Sequence, residues 1–455
     1  MKIKSIALVE TKAVKTHVFS RVYLPRMGLP FLSGLMKSKG YEVETFFQEK
    51  APLDLDYLCA FDLIGISSLT STVNEAYRLG SLLKERGKTV VMGGPHVSAM
   101  AEEALRHCDY VVRGEGEATF AEMVSKMNSG GYVSDVPGIS YLRGGVLVQN
   151  PSSITKVNME EMPQADFSSC KAFKGPEEYP AQLMFSRGCP FDCSFCSVTT
   201  TFGRKYRYKT KEQLIAELVP MLGRTINIID DNFAANPRRT KDLLKTMIAE
   251  NKVPRRYSCQ LRIDAARDEE LLDLLKRTNC RIAYIGMESI NPETLKAYDK
   301  GQTVEEIVAS IKGFKRYGIG IHGMFVLGGD HDTPQTIRDT TDFAIDAGLD
   351  TVQLCALTPF PGTAVHGQMV AENRILHQDW QHYDGLHCVI RPTRMTPYEL
   401  QYGIIEEMRR FYSLPRAFNI SLHKRWRFKY RMGGRYLVNR WKNENAAYFD
   451  YLKTV

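Results

Sequence analysis

No apolar run in this 455-residue chain approaches the roughly 20 residues that would span a bilayer. The opening "MKIKSIALVETKAVKTH" is too short in apolar length for a secretory leader and has no small-residue cleavage site. It reads as a first strand, Ile3 to Val9, of a cytoplasmic protein. A disulfide framework is not expected in such a compartment. Of the ten cysteines, Cys59, Cys108, Cys170, Cys259, Cys280, Cys355 and Cys388 stand alone, as small buried hydrophobes do. Acid is absent between Arg416 and Lys442, although the formal charge of the whole chain is only +8. A fourth ligand is absent too. Cys189, Cys193 and Cys196 cluster in "SRGCPFDCSFCSV" at C-x3-C-x2-C spacing, the next cysteine is Cys259, and no histidine follows until His322.

What is present is a globular composition, 44% hydrophobic and 25% charged, at a length that suggests two to three domains. Up to about residue 125, near-continuous apolar strands ("SIALVE", "YEVETFF", "FDLIGISSLT", "TVVMGGP", "DYVVRGEGE") alternate with amphipathic helices. That pattern predicts a doubly wound parallel sheet over residues 1–135, with ligands bound outside the carboxyl ends of its strands. Those ends read Ser67-Ser68-Leu69-Thr70, Gly93-Gly94-Pro95-His96 and Gly114-Glu115-Gly116-Glu117. Small residues there let a large ligand approach the backbone. Residues 136–180 read as a linker with a short hairpin, "GISYLRGGVLVQ". From 181 to 375 six βα units follow, starting with "AQLMFSRG" and ending with "TVQLCALTPF", and predict a partial (β/α)6 barrel with its active groups at the carboxyl strand ends. Residues 376–455 read as a helical, basic end region.

Three thiolates at close spacing bind zinc or an iron–sulfur cluster. Zinc wants a fourth ligand. A four-iron cluster held by three cysteines keeps one iron open for a small molecule, and the alternative is a zinc site completed by a distant residue. "CPFDCSFC", with an aromatic residue before the last cysteine, resembles the signature of radical S-adenosylmethionine enzymes. "GISSLTST", "VVMGGPH" and "DYVVRGEGEATF" resemble the motifs of the subfamily that carries a cobalamin-binding domain, as do "IIDDNFAANPRR", "GMESINPETL" and "TPFPGT" in the barrel.

The resemblance implies a [4Fe-4S] cluster on Cys189, Cys193 and Cys196 whose open iron chelates S-adenosylmethionine, and a 5′-deoxyadenosyl radical formed by its cleavage. It places Phe195 against the cluster or adenine, and Asp230, Asp231 and Asn232 at the amino group. Arg262 would pair with the carboxylate, Glu288 and Ser289 with the ribose, and Gly328 with Gly329 would admit adenine. The plainer alternatives are a helix N-cap for Asp230, a solvated turn for Glu288 and Ser289, and a strand-ending turn at Gly328. Cobalamin would contact Ser67, Ser68, Thr70, Gly93, Gly94, His96, Gly114 and Glu115. For His96 the alternative is a place in the start of the next helix, and for Glu115 and Glu117 it is solvation of a strand end. No D-x-H-x-x-G motif supplies a lower cobalt ligand; His17 lies in the right region without the flanking Asp and Gly. No side chain is singled out as an acid, base or nucleophile.

The commonest chemistry implied is methylation of an unactivated carbon on a hydrophobic or lipid-like substrate, with electrons from a flavodoxin or ferredoxin. A radical cyclisation, rearrangement or oxidation of a lipid or tetrapyrrole is the runner-up. An RNA-modifying protein is a reading of another class; no OB-type or RNP-like pattern accompanies it, and nucleic acid is not favoured. In an electron carrier the strand-end polar groups would have no purpose. The basic stretch interleaves Trp426, Phe428, Tyr430, Tyr436 and Trp441 with cations, a composition suited to a membrane surface. A solvated helix face is the alternative.

Overall fold

The computed structural model describes residues 2–13, 24–151, 157–418 and 425–455. His17, weighed above, lies outside them.

The first sheet has the order β2-β1-β3-β4-β5-β6-β7. β1 (Ser5–Glu10), β2 (Glu42–Phe47), β3 (Leu63–Ser67), β4 (Thr89–Gly93) and β5 (Tyr110–Val112) are mutually parallel. Ile6, Ala7, Leu8 and Val9 of β1 are all fully buried, as a strand covered on both faces requires. The order reverses at β1, which opens a crevice outside the carboxyl ends of β1 and β3. β6 (Ile139–Arg143) and β7 (Val146–Gln149) form the hairpin expected in the linker. It is not a linker element: β6 pairs antiparallel with β5, Val112 opposite Ile139, because the fully buried Ile139 completes the apolar face of the sheet.

The second sheet runs β15-β14-β13-β12-β11-β8, every pair parallel, with no pairing between its two outer strands. This is the expected six-stranded partial barrel: β8 (Gln182–Leu183), then β11 (Thr225–Ile228), β12 (Arg256–Leu261), β13 (Cys280–Glu288), β14 (Gly320–Leu327) and β15 (Thr351–Ala356). The "AQLMFSRG" strand is shorter than expected. The chain leaves the sheet after Leu183, and β9 (Ser186–Arg187) pairs antiparallel with β10 (Arg207–Tyr208) as a separate ribbon. The buried Asp230 carboxylate makes the break by accepting the Phe185 N–H at 2.9 Å and the Ser186 hydroxyl.

The end region is helical as expected, with helices Pro397–Phe411, Arg425–Glu444 and Ala446–Leu452. The basic helix starts at the amino ends of the barrel strands. Trp426 fills the space above Gly320, where a Cβ would come within 2.8 Å of the ring, and the Arg281 guanidinium stacks on it at 4.4 Å. Arg427 pairs with the fully buried Asp350, and Arg431 donates to the Asp350 and Leu349 carbonyls. Farther along, Trp441 is buried against the His387 ring at 4.7 Å. Among the described residues no helix is long and apolar enough to cross a membrane.

Candidate cofactor site

The ribbon β9–β10 presents the cysteine loop. Gly188 sits at φ +87°, and its missing Cβ lets the Lys205 and Gly203 carbonyls pass where that atom would lie at 2.6 and 3.0 Å. The Cys196 N–H closes a turn on the Cys193 carbonyl at 3.0 Å. Ser194 is held on both sides: its N–H donates to Tyr298 and its carbonyl accepts from Val365, each at 3.2 Å. Phe195 packs edge-on against Tyr298, ring centres 5.0 Å apart. Burial raises the Cys189 and Cys196 thiols, the latter to about 11, with mutual repulsion among the three adding to it. Buried thiols of that kind exchange their protons for a cationic group rather than for water. Among the described residues no three His, Cys, Asp or Glu side chains converge as the ligands of one ion would. Cysteines that reach separate corners of a polynuclear cluster need not converge, and the donor set fits such a cluster.

The strand-end groups sort differently from their sequence order. Asp230 is spent on Phe185 and Ser186, and is neither a free acceptor nor a helix cap. Burial pushes its carboxyl up to about 7. The following helix is capped instead by Asn236. Asp231 is the outward member. It lies within electrostatic reach of Cys189, Cys196 and Arg187, and burial raises it to about 6. Asn232 is buried beside it. The Arg262 guanidinium lies 3.6 Å over the Phe191 ring of the cysteine loop and donates to the Lys300 carbonyl at 2.8 Å. Its Nε is buried without a hydrogen-bond acceptor, with the Asp264 carboxylate 3.7 Å away as its ion-pair partner. Glu288, in the left-handed region at φ 62°, makes a buried ion pair with Lys300 at 2.6 Å. Neither it nor Ser289 is solvated: the Ser289 hydroxyl accepts the Asn291 N–H at 3.0 Å in a turn. Gly328, at φ +100°, makes room for Leu400, 2.5 Å from where its Cβ would be, so the space there is already filled by protein. The Gly328 and Gly329 N–H groups both donate to Asp332 at 3.0 Å.

At the sheet edge a cavity of about 360 Å³ enters between the strands and the covering helices. Gly65, Gly93, Gly94, Gly114 and Gly116 line it together with Leu8, Leu29, Val91 and Phe120, and Ser67 and Glu115 stand at its rim. At Gly94, φ is +113° and a Cβ would meet the Ser68 carbonyl at 2.3 Å. This is a cradle that any side chain would fill, and it fits the apolar tail of a large cofactor. Ser68 supports Gly94 and does not line the cavity. His96 also turns away. It packs against Trp380 at 4.8 Å, and burial, with His366 nearby, lowers it to about 3. Thr70 lines a second cavity, about 620 Å³, walled by Leu69, Thr70–Thr72 and Pro95 of the first sheet. Ser197, Thr200 and Thr201 beyond the cysteine loop, Phe360–Gly362 after β15, and Tyr383 and Asp384 complete it. The cavities adjoin, sharing Leu69, Pro95 and Thr201.

Residues 183–344 match the radical SAM superfamily, and residues 20–124 match the B12 binding domain. An uncharacterized methyltransferase of Pyrococcus horikoshii is 28% identical over 86% of this chain and 89% of its own length. The bacteriochlorophyllide d C-12(1)-methyltransferase of Chlorobaculum tepidum is 28% identical over 83% and 80%. The hopanoid C-3 methylase of Methylococcus capsulatus is 26% identical over 84% and 74%. The radical S-adenosylmethionine methyltransferase TsrM from Kitasatospora setae, solved with cobalamin and a [4Fe-4S] cluster bound, superposes with a TM-score of 0.69 at 19% identity, over 81% of this chain and 75% of that one. The chain is a cobalamin-binding radical S-adenosylmethionine enzyme. Its cofactors are a [4Fe-4S] cluster, S-adenosylmethionine and cobalamin.

Other residues of this radical S-adenosylmethionine enzyme were not singled out from sequence. Arg187 and Arg207 pair directly with Glu117 and Glu115 beside the smaller cavity. Ser197, Thr200 and Thr201 line the larger one. Tyr383 and Asp384 close it from a region that reads only as irregular and helical. The alternation of one serine or threonine with its neighbours carries no pattern, and a pairing 70 residues apart has none either.

Proposed function

We propose that this enzyme transfers a methyl group to an unactivated carbon of an apolar small molecule held in the larger cavity. The carrying observation is the placement of that cavity, which reaches from Thr70–Thr72 at the cobalamin-domain edge to the helix directly after the cysteine loop. One bound molecule would therefore face both cofactor regions. Among the described residues no Lys or Arg lines it while Glu49 and Asp384 do, which disfavours an anionic group, and Leu69, Pro95, Ala99, Phe360 and Pro361 favour a hydrophobic or lipid-like body. Relatives named for methylation of hopanoids and of bacteriochlorophyllides support methyl transfer as the reaction.

In this reading Cys189, Cys193 and Cys196 hold the cluster. Asp231 and Asn232 accept from the amino group of S-adenosylmethionine, and Arg262 takes its carboxylate. Ser67, Gly93, Gly94 and Gly114 admit the cobalamin tail. When bound, the cluster and S-adenosylmethionine supply a radical and cobalamin supplies the methyl group. The chain's part is to hold the thiols, to keep the loop dry with Phe195 and Tyr298, and to orient the substrate. The electron comes from an external flavodoxin or ferredoxin. The basic helix is given no part in drawing substrate from a membrane, because Trp426, Arg427 and Arg431 fix its start at the amino ends of the barrel strands, away from both cavities.

The test uses protein reconstituted with iron, sulfide and hydroxocobalamin, given a reductant and S-adenosylmethionine labelled in its methyl group. A neutral polycyclic triterpenoid is the substrate probe and an anionic tetrapyrrole the control. Label in the triterpenoid, with 5′-deoxyadenosine formed alongside, is expected. Formation of 5′-deoxyadenosine with an unlabelled, cyclised or oxidised product would replace methylation by the ring-forming alternative.

A further inference from the structure

Two buried ion pairs join the turn at the end of β5 to the ribbon that carries the cysteine loop. Glu117 Oε1 accepts from Arg187 Nη2 at 2.7 Å, with the two side chains 10% and 4% exposed. Glu115 accepts from both terminal nitrogens of Arg207, at 2.8 Å through Oε2. The arginines are register partners on β9 and β10, and the glutamates stand at the junction of the bend after β5 and the helix Gly116–Ser129, Glu115 at its N-cap and Glu117 in its first turn. Each arginine also grips one flank of the loop. Arg187 directly precedes Gly188 and Cys189. Arg207 donates at 3.1 Å to the carbonyl of Phe202, which ends the helix Ser197–Phe202 that follows Cys196. Glu115, Glu117, Arg187 and Phe202 also line the smaller cavity, so a molecule filling it touches the turn and the ribbon together.

We infer that these pairs make Arg187, Arg207, Glu115 and Glu117 positioning residues that couple the two cofactor sites, so that cobalamin in the smaller cavity and the cluster on the cysteine loop each tighten the other. The inference rests on the assignment of those two sites given above. Isolated charges at such depth are held in place only by their partners, so the turn and the ribbon move as one piece. A ligand that orders that piece from either side lowers the cost of ordering it from the other, and the coupling is reciprocal by linkage.

The experiment measures hydroxocobalamin affinity by absorbance titration of the full chain, once with the cluster reconstituted and once after it has been stripped by a chelator. The same samples give the rate of iron loss to the chelator with and without hydroxocobalamin. In the wild type the cluster should tighten cobalamin binding about tenfold, and cobalamin should slow iron loss comparably. In Glu115→Gln/Glu117→Gln both factors should fall toward one while each cofactor still binds alone. A purely structural interface would lower the melting temperature of the variant and leave the factors intact, which overturns the inference. Equal wild-type affinities with and without the cluster overturn it as well, and leave the site assignment standing. A wild-type chain that takes up neither cofactor removes the assignment and the inference with it. If the double variant does not fold, Arg207→Lys keeps the charge and loses the two-pronged contact; it should show a reduced factor, and an unchanged one counts against the coupling.

Discussion

At Gly94 the backbone sits at φ +113° and ψ 172°, a region closed to residues that carry a Cβ, and the Ser68 carbonyl occupies the place where one would go. Gly94→Ala is expected to cost about 1–3 kcal/mol locally and to weaken hydroxocobalamin uptake at least tenfold, about 1.4 kcal/mol. Iron content at saturating iron and sulfide should stay at the wild-type level, as read by absorbance and an iron assay on the same sample. Asp230 makes a different prediction. Its folded-state value, about 7, lies above the ordinary carboxylate value near 4, so the neutral buried form adds stability at low pH that is lost as pH rises through about 7. Asn in its place can still accept the Phe185 N–H. The melting temperature of cofactor-free Asp230→Asn should therefore fall less steeply than that of the wild type between about pH 4 and about pH 7. An identical slope would mean that Asp230 does not titrate there.

At the scale of elements, the helix Arg425–Glu444 divides its basic residues between two duties. Arg427 pairs with the fully buried Asp350, and Arg427→Gln should destabilise the chain by about 3–5 kcal/mol in denaturant titrations, because it removes the charge paired with a buried carboxylate that otherwise accepts the Ile321 N–H at 2.8 Å. Lys429 is exposed, and Lys429→Gln should fall within about 0.5 kcal/mol of wild type. The acid-free composition that suggested a membrane surface did not reveal this division, since the partner, Asp350, is supplied by the loop before β15. Trp441 is buried while Tyr430 and Tyr436 are exposed, and only the packing decides which aromatic goes where. The parallel strands were legible, because burial on both faces writes itself as unbroken apolar runs such as Ile6–Val9. The cysteine loop was legible because its chemistry fixes the spacing. The split of "AQLMFSRG" was not, since it depends on a carboxylate 45 residues away. Nor was the fate of Gly328, whose space is taken by Leu400, or of His96, which faces Trp380.

Across the whole molecule, the first sheet is fastened to the barrel on one side by the two glutamate–arginine pairs and on the other by a segment near residue 380. Asn74 donates to Asp379 and Trp380 Nε1 to Glu103, both at 2.8 Å, and Trp380 is buried against His96. Trp380→Ala should cost about 3–5 kcal/mol by cavity formation and leave the larger cavity ajar, so that a triterpenoid probe held there dissociates faster than from the wild type. Unchanged dissociation would show that this segment does not bear on the cavity. The order in which the chain is made gives this fastening a further meaning. The ribosome delivers the sheet first, the barrel second and Asp379–Asp384 after both. A nascent chain whose first sheet and barrel have formed therefore lacks the Tyr383 and Asp384 wall of its larger cavity until that segment is synthesised. Assembly thus has a built-in interval in which the larger cavity, and through it the smaller one it adjoins, can be reached from the open side, and the closing contacts are translated only after that interval.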